Sequence, residues 1–455
     1  MIDVFFKKTN MLKRTWNKLN KKSFETTDIS PLITFRIFFG ATLFITILRF
    51  WINGWIEELY ISPEYHFNFI PNIEVLPDAW IYFIFIILLT LSIFITVGAF
   101  YRTSTASFFI LFTYIELIDK TYYLNHYYLV SILTFYLIFL PANRAFSIDC
   151  YFNPKLKLNI CSKWYIYLIK CQLSIVYFYA GLAKINKDWL IRAQPLYTWL
   201  PGKFSIPIIG KFTHLKITAF TFSWIGCIYD LTIWLFLWSK KTRTYAFYAV
   251  IVFHVMTGIL FPRIGMFPMI MIVATTIFLP LNFHKKCLEL LSIKKRETKS
   301  EHITRKKKKN VLFIYYLMFL FLGIQALMPL RHHIFSNNIY WDEIGYRFSW
   351  RVMLMEKNGY TDIVVIDPRK EIQYQLDQDL YLSKFQQQQM KSQPDMILQF
   401  VNYVGDEFKE INGYPPVINI HSRMSLNGRK SQPFFIDTVN VYKNNLDKFL
   451  HDFKS

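Results

Sequence analysis

Residues 164–189 read WYIYLIKCQLSIVYFYAGLAKINKDW. Apart from Lys170 the run carries no charge until Lys184. At about 1.5 Å of rise per residue, a helix of this length crosses the roughly 30 Å hydrocarbon core of a bilayer. An amine at the end of such a helix is costly unless it is paired, solvated or used.

The whole chain has the same character. Of its 455 residues 53% are apolar, 19% aromatic and only 18% charged, below the roughly 25% charged of soluble domains. Nine segments read as spans, roughly 31–51, 79–101, 103–118, 127–140, 164–184, 217–239, 244–262, 264–281 and 311–330. Several fall short of the roughly 20 residues a straight crossing needs, so tilt or re-entrance is allowed for. The sequence therefore predicts an α-helical polytopic membrane protein with eight or nine transmembrane helices, plus a small C-terminal α+β soluble module. Its expected parts are a basic cytoplasmic N-terminus over 1–30, a transmembrane domain over 31–330 and an extracytoplasmic domain over 331–455.

A net charge of +21 could suggest a nucleic-acid partner, but the placement of the charge argues against one. Seven basic residues fall in the first 22, and others in Arg102, Arg144 to Lys163, Lys240 to Arg243 and 285–309. These blocks alternate with hydrophobic runs, as the positive-inside rule requires of cytoplasmic loops. The loop from Ile52 to Asp78 has acids and no Lys or Arg, and is expected outside. The basic loop with Lys187, Arg192, Lys203, Lys211 and Lys216 dissents from this scheme. No cleavable leader is evident, because residues 1–22 lack an apolar core. The expected orientation in the membrane has the N-terminus cytoplasmic and the C-terminal domain outside.

Of the five cysteines, Cys171 and Cys227 lie in spans and Cys150, Cys161 and Cys287 in inner loops, so no disulfide framework is expected. The spacing of Cys150 and Cys161 does not suggest zinc, and no metal is expected. After Arg331 the long apolar runs end. Thr361 to Asp367 and Val417 to Leu426 read as strands, Asn427-Gly428 as a hairpin turn before a returning strand near Gln432 to Asp437. Asp395 to Phe408 has helical spacing, opened by Pro394. Gln386 to Gln389 is a short glutamine run.

Charged or titratable groups within the spans are Arg36, Glu116, Lys170, Lys184, Asp230 and His254. Such groups mark ion pairs, pathways or sites, or snorkel to an interface. Arg36 and Lys170 lie near inner ends, where snorkelling serves, and Asp230 is deep enough to pair with an arginine such as Arg36. A lone mid-span His254 reads as a helix contact. Lys184 lies near the outer end of the fifth span, and His126 near the outer end between the third and fourth. Ala180, Gly181 and Ala183 permit close approach of backbone or ligand. Burial disfavours the charged form of an amine, as a general base requires, and a quinol hydroxyl has phenolic acidity near pKa 10. Snorkelling of Lys184 remains open on spacing alone.

Asp119-Lys120-Thr121 with Asn125-His126, then Tyr177-Phe178, Ala180-Gly181, Lys184 and Asp188-Trp189, resembles the vitamin K-dependent gamma-glutamyl carboxylase family and its bacterial homologues of the horizontally transferred transmembrane type. Phe35-Arg36, Phe39-Gly40, Tyr101-Arg102, Phe253-His254, Gly265-Met266-Phe267, Phe348-Ser349-Trp350 and Ser425-Leu426-Asn427 with Arg429 extend the similarity over about residues 30–440.

The resemblance implies an enzyme in which reduced vitamin K (hydroquinone or menaquinol) is deprotonated, reacts with O2 and ends as its epoxide. The oxygenated species acts as a strong base on a glutamate γ-carbon, and CO2 traps the carbanion. Lys184 would then be the base toward the quinol and His126 would assist at the glutamyl carbon. Asn125, Tyr177, Gly181, Trp189, His254 and Trp350 would line the quinone or substrate pocket. The implied partners are an isoprenoid naphthoquinol, a glutamate-containing peptide or protein, and the lipid bilayer. Three departures stand out. Animal members continue with a longer lumenal region, the outer segments lack the family's cysteine pairing, and Ala183 stands where animal members carry a basic residue. The alternatives are a quinol epoxidase without carboxylation, or a non-catalytic quinone-binding, lipid-binding or transport protein.

Overall fold

A computed structural model describes residues 21–71, 73–207, 209–291, 308–335, 338–436, 440–444, 450, 451 and 453. Most of the basic N-terminus, the greater part of the 285–309 block and Asp437 lie outside the described residues.

All nine expected segments are helical. They are α1 (Ser30–Ile52), α2 (Asp78–Val97), α3 (Tyr101–Ile118), α4 (Asn125–Phe139), α5 (Lys163–Leu182), α6 (Lys216–Trp238) and α7 (Arg243–Leu260), followed by α8 (Phe267–Thr275), which forms a bent pair with one further helix, α9 (Leu281–Leu290), and then α10 (Lys308–Leu327). Six of them, α1, α2, α5, α6, α7 and the stretch Asn310–Leu330 built on α10, are long and apolar enough to cross a bilayer alone. The pair Phe267–Phe278 and Leu281–Leu290, bent by 112°, makes seven if it counts as one span. The bend falls at Leu279-Pro280, where proline cannot continue the helix before it. Helix α4 has only 15 residues, and α3 carries Arg102, Glu116 and a run of Ser and Thr; these two separate the count from eight or nine. Trp80, Phe83, Ile110, Trp224, Ile228, Tyr245, Val252 and Phe313 are exposed. So much exposed apolar surface suits lipid rather than water.

Small residues and caps set the helix contacts. At Gly40 a Cβ would lie 2.8 Å from the Thr96 backbone nitrogen, so α1 and α2 touch there. Gly98 ends α2 with φ +66°, and a Cβ there would collide with the Arg36 guanidinium. Asp149 accepts from the backbone N–H of Phe100 at 2.8 Å and of Tyr101 at 3.1 Å, placing a carboxylate at the N-terminus of α3. Arg36 is fully buried and donates to the Phe146 carbonyl. It neither snorkels nor meets Asp230, whose partner is Lys184.

The two ends of the helical part differ. At one end β1 (Thr26–Asp28) pairs antiparallel with β2 (Ile160–Ser162), Lys163 bonds Glu25 at 2.6 Å and Lys285 lies 3.3 Å from Asp28. The described basic residues Lys163 and Lys285 lie there. The Ile52 to Asp78 loop, Asp119 to Leu124 and the C-terminal module meet at the other end. Tyr65 and Phe67 pack on Phe400, and Lys120 bonds Gln399 at 2.7 Å. The basic 187–216 loop also belongs to this end, since Asp188 holds Arg429 there at 2.5 Å.

The C-terminal module is an antiparallel sheet of β3 (Lys357–Asp367), β4 (Ile372–Gln375), β5 (Val417–Leu426) and β6 (Gln432–Pro433), in the order β4-β3-β5-β6. Helices α11 (Lys384–Met390) and α12 (Pro394–Asn412) complete it. The buried face alternates as two-residue periodicity demands: Ile363 and Val365 on β3, Ile418, Ile420 and Met424 on β5. Met396, Ile397, Phe400, Val401 and Val404 of α12 cover it. Asn427 and Gly428 both have positive φ, the geometry of a tight primed turn. The glutamine run is helical, opened by a capping box in which Ser383 Oγ accepts from the Gln386 N–H and the Gln386 side chain accepts from the Ser383 N–H.

Candidate functional site

Where the module meets the helical part lies a half-open cavity of about 950 Å³. The membrane side of its wall is Tyr123, Leu124, Asn125, His126, Phe261 and Phe267; the module side includes Arg347, Arg351, Met353, Glu356, Gln388 and Gln389; Trp199 and Lys203 come from the basic loop.

His126 is in the first turn of α4 and buried. Its Nε2 has no hydrogen-bond partner, and its ring lies 6.0 Å from that of Phe267. Gly265, with φ +67°, leaves open the space next to it: a Cβ there would sit 3.8 Å from His126 Cε1. A buried imidazole nitrogen without a partner, on the wall of a cavity, is available to a ligand. Asn125 lines the same cavity and donates to the Arg351 carbonyl at 2.7 Å, tying α4 to the module.

Above His126 the wall is cationic. Lys120 and Arg347 share Asp395, at 3.6 and 2.8 Å. Burial outweighs Asp395 and brings Lys120 below its ordinary value. Burial pulls Arg347 down as well, but Asp395 and Glu343 overcome it and leave it raised. Lys357 meets Glu343 at 2.7 Å and is nonetheless lowered, burial dominating. Lys203, Arg263 and Arg351 have no carboxylate partner among the described residues. Arg351 donates to Tyr340 Oη at 3.0 Å and bonds His332 Nε2 at 3.1 Å, and its buried Nε has no partner. Arg351 lines the cavity, so its guanidinium charge lies beside a carboxylate that enters.

Lys184 is not on this wall. Its Nζ donates to Asp230 Oδ2 at 2.7 Å and to the Ala180 carbonyl at 3.1 Å, and lies 5.3 Å from the centre of the Trp189 ring. Lysine and aspartate are each 6% exposed. The sequence reading left Lys184 without a counter-ion; α6 supplies one. Gly181 makes this possible by backbone contact, since a Cβ there would lie 2.6 Å from the Leu231 nitrogen. Trp189 donates from Nε1 to the Ser223 carbonyl at 2.7 Å. The short helix Lys187–Arg192 that carries it is capped by Asn186. Asn186 and the Ala183 carbonyl both bond Tyr340 Oη, at 3.2 and 2.8 Å, and Tyr340 holds Arg351. Lys184 and the cavity wall are thus linked through Tyr340, not by direct contact with His126.

Tyr177 and His254 form a third group: Tyr177 Oη lies 3.2 Å from His254 Nε2 and 3.4 Å from Thr275 Oγ1. The ring of Phe267 stands between, 5.4 Å from His254. Trp350 is buried and stacks on Tyr128 at 5.1 Å, outside the cavity wall. Glu116 faces a second cavity of about 280 Å³ lined by Phe69, Phe109, Phe135, Phe321, Phe348 and Gln325. Among the described residues no three His, Cys, Asp or Glu side chains gather as a metal site, and the five cysteines are free.

Two elements of the site were not read from the sequence, the Asp230 partner and the Arg351 guanidinium. The glutamine run that supplies Gln388 and Gln389 to the wall was noticed only as a compositional bias. Gln386 within it bonds the Tyr65 carbonyl at 2.7 Å and Asp119 at 2.9 Å, fastening module to membrane part.

A polytopic helical membrane protein, capped by an α+β module over a cavity lined by a buried histidine and an arginine, is the class that fold and site define. Residues 24–283 match the HTTM domain family, and residues 309–453 match the lumenal domain of vitamin K-dependent gamma-carboxylase. The chain belongs to the vitamin K-dependent gamma-carboxylase family. The second match begins at α10, so the apolar helix that precedes the module is part of it. No solved structure matches the chain.

Proposed function

We propose that this protein couples oxidation of a reduced naphthoquinone, vitamin K hydroquinone or menaquinol, by O2 to carboxylation of a glutamate γ-carbon. The observation that carries the reading is His126 Nε2, buried without a partner on the wall of a roughly 950 Å³ cavity, in a chain whose two parts both match this family. When bound, the quinol supplies the reducing power that turns O2 chemistry into a base strong enough for a γ-proton.

The residues present suit both reactants. Leu124, Phe261, Phe267 and Trp199 would hold an apolar ring, and the space kept open by Gly265 would admit it next to His126. Arg351, Lys203 and Arg263 would receive the glutamyl carboxylate, leaving its γ-carbon toward His126. His126 would hold or return a proton at that carbon through Nε2. The role of base toward the quinol would fall to Lys184, which is paired with Asp230 off this wall and connected to it through Tyr340. The orientation follows the same scheme: the basic end with β1 and β2 is cytoplasmic, and the module faces outside.

The test is oxygen-dependent formation of epoxide from a reduced naphthoquinone by the purified protein, beside Lys184→Ala. Wild type is expected to form epoxide and Lys184→Ala to lose it. Wild type that binds the quinol and forms none would leave a binding protein in place of an enzyme.

A further inference from the structure

The second cavity, of about 280 Å³, lies between α3, α4 and α10, under Phe69 of the 52–78 loop and Phe348 of the module. Seven of the described residues on its wall are aromatic, and no lysine or arginine is among them. The hydroxyls on the wall have partners: Tyr128 donates to Gln325 Oε1 at 2.5 Å, Tyr123 to Asn125 Oδ1 at 3.1 Å and Thr113 to Ser131 Oγ at 3.5 Å. Glu116 has no hydrogen-bond or ion-pair partner among the described residues.

The wall is graded along the helix axes. Phe109, Thr113 and Glu116 fall on one face of α3, with Phe109 about 10 Å further from the module end than Glu116. At the module end the rings of Phe69 and Tyr123 meet that of Phe348, at 5.4 and 4.9 Å. At the other end Phe135 meets Phe109 at 5.4 Å and Phe321 at 4.8 Å. Ile110 and Leu320, each next in the chain to a wall phenylalanine, are exposed, so this side of the cavity faces lipid. A carboxyl in such surroundings keeps its proton or takes a cation. An anion is repelled by it, and a hydrocarbon leaves it unmet. An ammonium pairs with it, and the faces of the surrounding rings attract the same charge.

We propose that this cavity binds a lipophilic amine that enters from the bilayer, its ammonium on the Glu116 carboxylate and its apolar chain along Phe109, Phe135 and Phe321. A neutral amine arriving from lipid takes the carboxyl proton: the O–H bond breaks, an N–H bond forms, and the resulting pair adds no net charge to the site. The volume is about twice that of a cavity that takes one benzene ring, which admits the head and the first carbons of a chain whose remainder stays in lipid.

The test places the full chain in phosphatidylglycerol nanodiscs and treats it with N,N′-dicyclohexylcarbodiimide, which adds to protonated carboxyls in apolar surroundings; label at Glu116 is read by peptide mass spectrometry. Dodecyldimethylamine is expected to protect Glu116, and dodecanol at the same membrane concentration is expected to leave it labelled. Glu116→Gln should weaken binding of radiolabelled dodecyldimethylamine, measured above empty nanodiscs, by about 10–100-fold, the worth of one charged hydrogen bond. No label at Glu116 in wild type, equal protection by dodecanol, or unchanged amine binding in Glu116→Gln overturns the proposal. If Glu116→Gln does not fold, the comparison of amine with alcohol on wild type decides. Nanodiscs with phosphatidylethanolamine in place of phosphatidylglycerol separate the sources of the ligand. Protection there without added amine assigns the site to a lipid headgroup, and protection only with it assigns the site to a free amine. None of these outcomes depends on the function proposed above.

Discussion

Gly181→Ala tests whether the contact of α5 with α6 holds the buried ion pair. A Cβ at this position would lie 2.6 Å from the Leu231 nitrogen, 2.8 Å from Leu231 Cγ and 3.0 Å from the Asp230 carbonyl carbon, where ordinary contact begins near 3.4 Å. Two of the three atoms are backbone, so no rotamer relieves them and α6 must retreat by about 0.8 Å. Leu231 follows Asp230, so the carboxylate retreats too, and its 2.7 Å bond to Lys184 opens to about 3.5 Å, beyond the roughly 2.7–2.9 Å of a charge-assisted bond. Overpacking costs about 1–3 kcal/mol, and full rupture of a buried pair about 3–5 kcal/mol. Replacing a helical glycine by alanine returns about 1 kcal/mol. Overpacking less the propensity gain leaves a net loss of about 0–2 kcal/mol, to which rupture of the pair would add about 3–5 kcal/mol, read from unfolding of the purified protein in detergent, with epoxidation falling in parallel. Gly226→Ala on α6 is the control. Its Cβ would meet only Trp189 at 3.7 Å, so only the propensity gain of about 1 kcal/mol remains. If Gly181→Ala were stabilised like Gly226→Ala, the helices would not be in the contact described and the account of the pair would fail.

Three further perturbations separate the parts of the site. His126→Ala should lower labelled CO2 incorporation into short Glu peptides by about 10²–10⁴-fold, the range for a lost general acid or base, while epoxide formation persists; equal loss of both would deny His126 a role confined to the glutamyl carbon. Arg351→Gln should raise KM for those peptides by about 10–100-fold, the equivalent of a charge-assisted hydrogen bond of about 1.5–3 kcal/mol, with kcat nearly kept; an unchanged KM would remove Arg351 from carboxylate binding. Burial alone would raise Asp188, but its bonds to Arg429 and Asn427 outweigh it and leave it below its ordinary value. A depressed carboxyl contributes stability that is complete above its unfolded pKa of about 3.9 and disappears as pH falls through the folded value. Acidification from about pH 6 to 3 should thus loosen the module, seen as faster proteolysis near Asn427, and Asp188→Asn should weaken that pH dependence; identical profiles would show that other carboxyls govern it.

How legible the fold was follows from how local each signal is. Apolar runs with their breaks are short-range, and all nine segments are helices within a few residues of their expected bounds. Length and polarity within α3 and α4, not the presence of helix, leave the span count at six or seven. The β3, β5 and α12 elements were readable because alternation, helical spacing and Pro394 are written in consecutive residues. The capping box at Ser383 and Gln386 was readable by the same logic and was obscured by the glutamine run around it. Arg351 was hidden by distance: its partners Tyr340 and His332 are near in sequence, but the cavity it faces is made by α4 and the 199–203 loop.

Asp230 shows why charge is the hardest feature to assign from one chain. Read along the sequence, Lys184 and Asp230 are 46 residues apart, and each had an equally plausible fate alone, snorkelling for one and an arginine for the other. Helix periodicity locates such groups in depth but not in azimuth, and two residues at one level can face opposite sides of a bundle. What fixes the azimuth is a small residue. Gly181 brings α6 to within contact of α5, and three residues further on, almost one turn, the amine reaches the carboxylate. The consequence changes the chemistry expected of the lysine. The lysine that spacing alone left isolated or snorkelling is a buried amine with a carboxylate 2.7 Å away, so any role it has is shared with that partner.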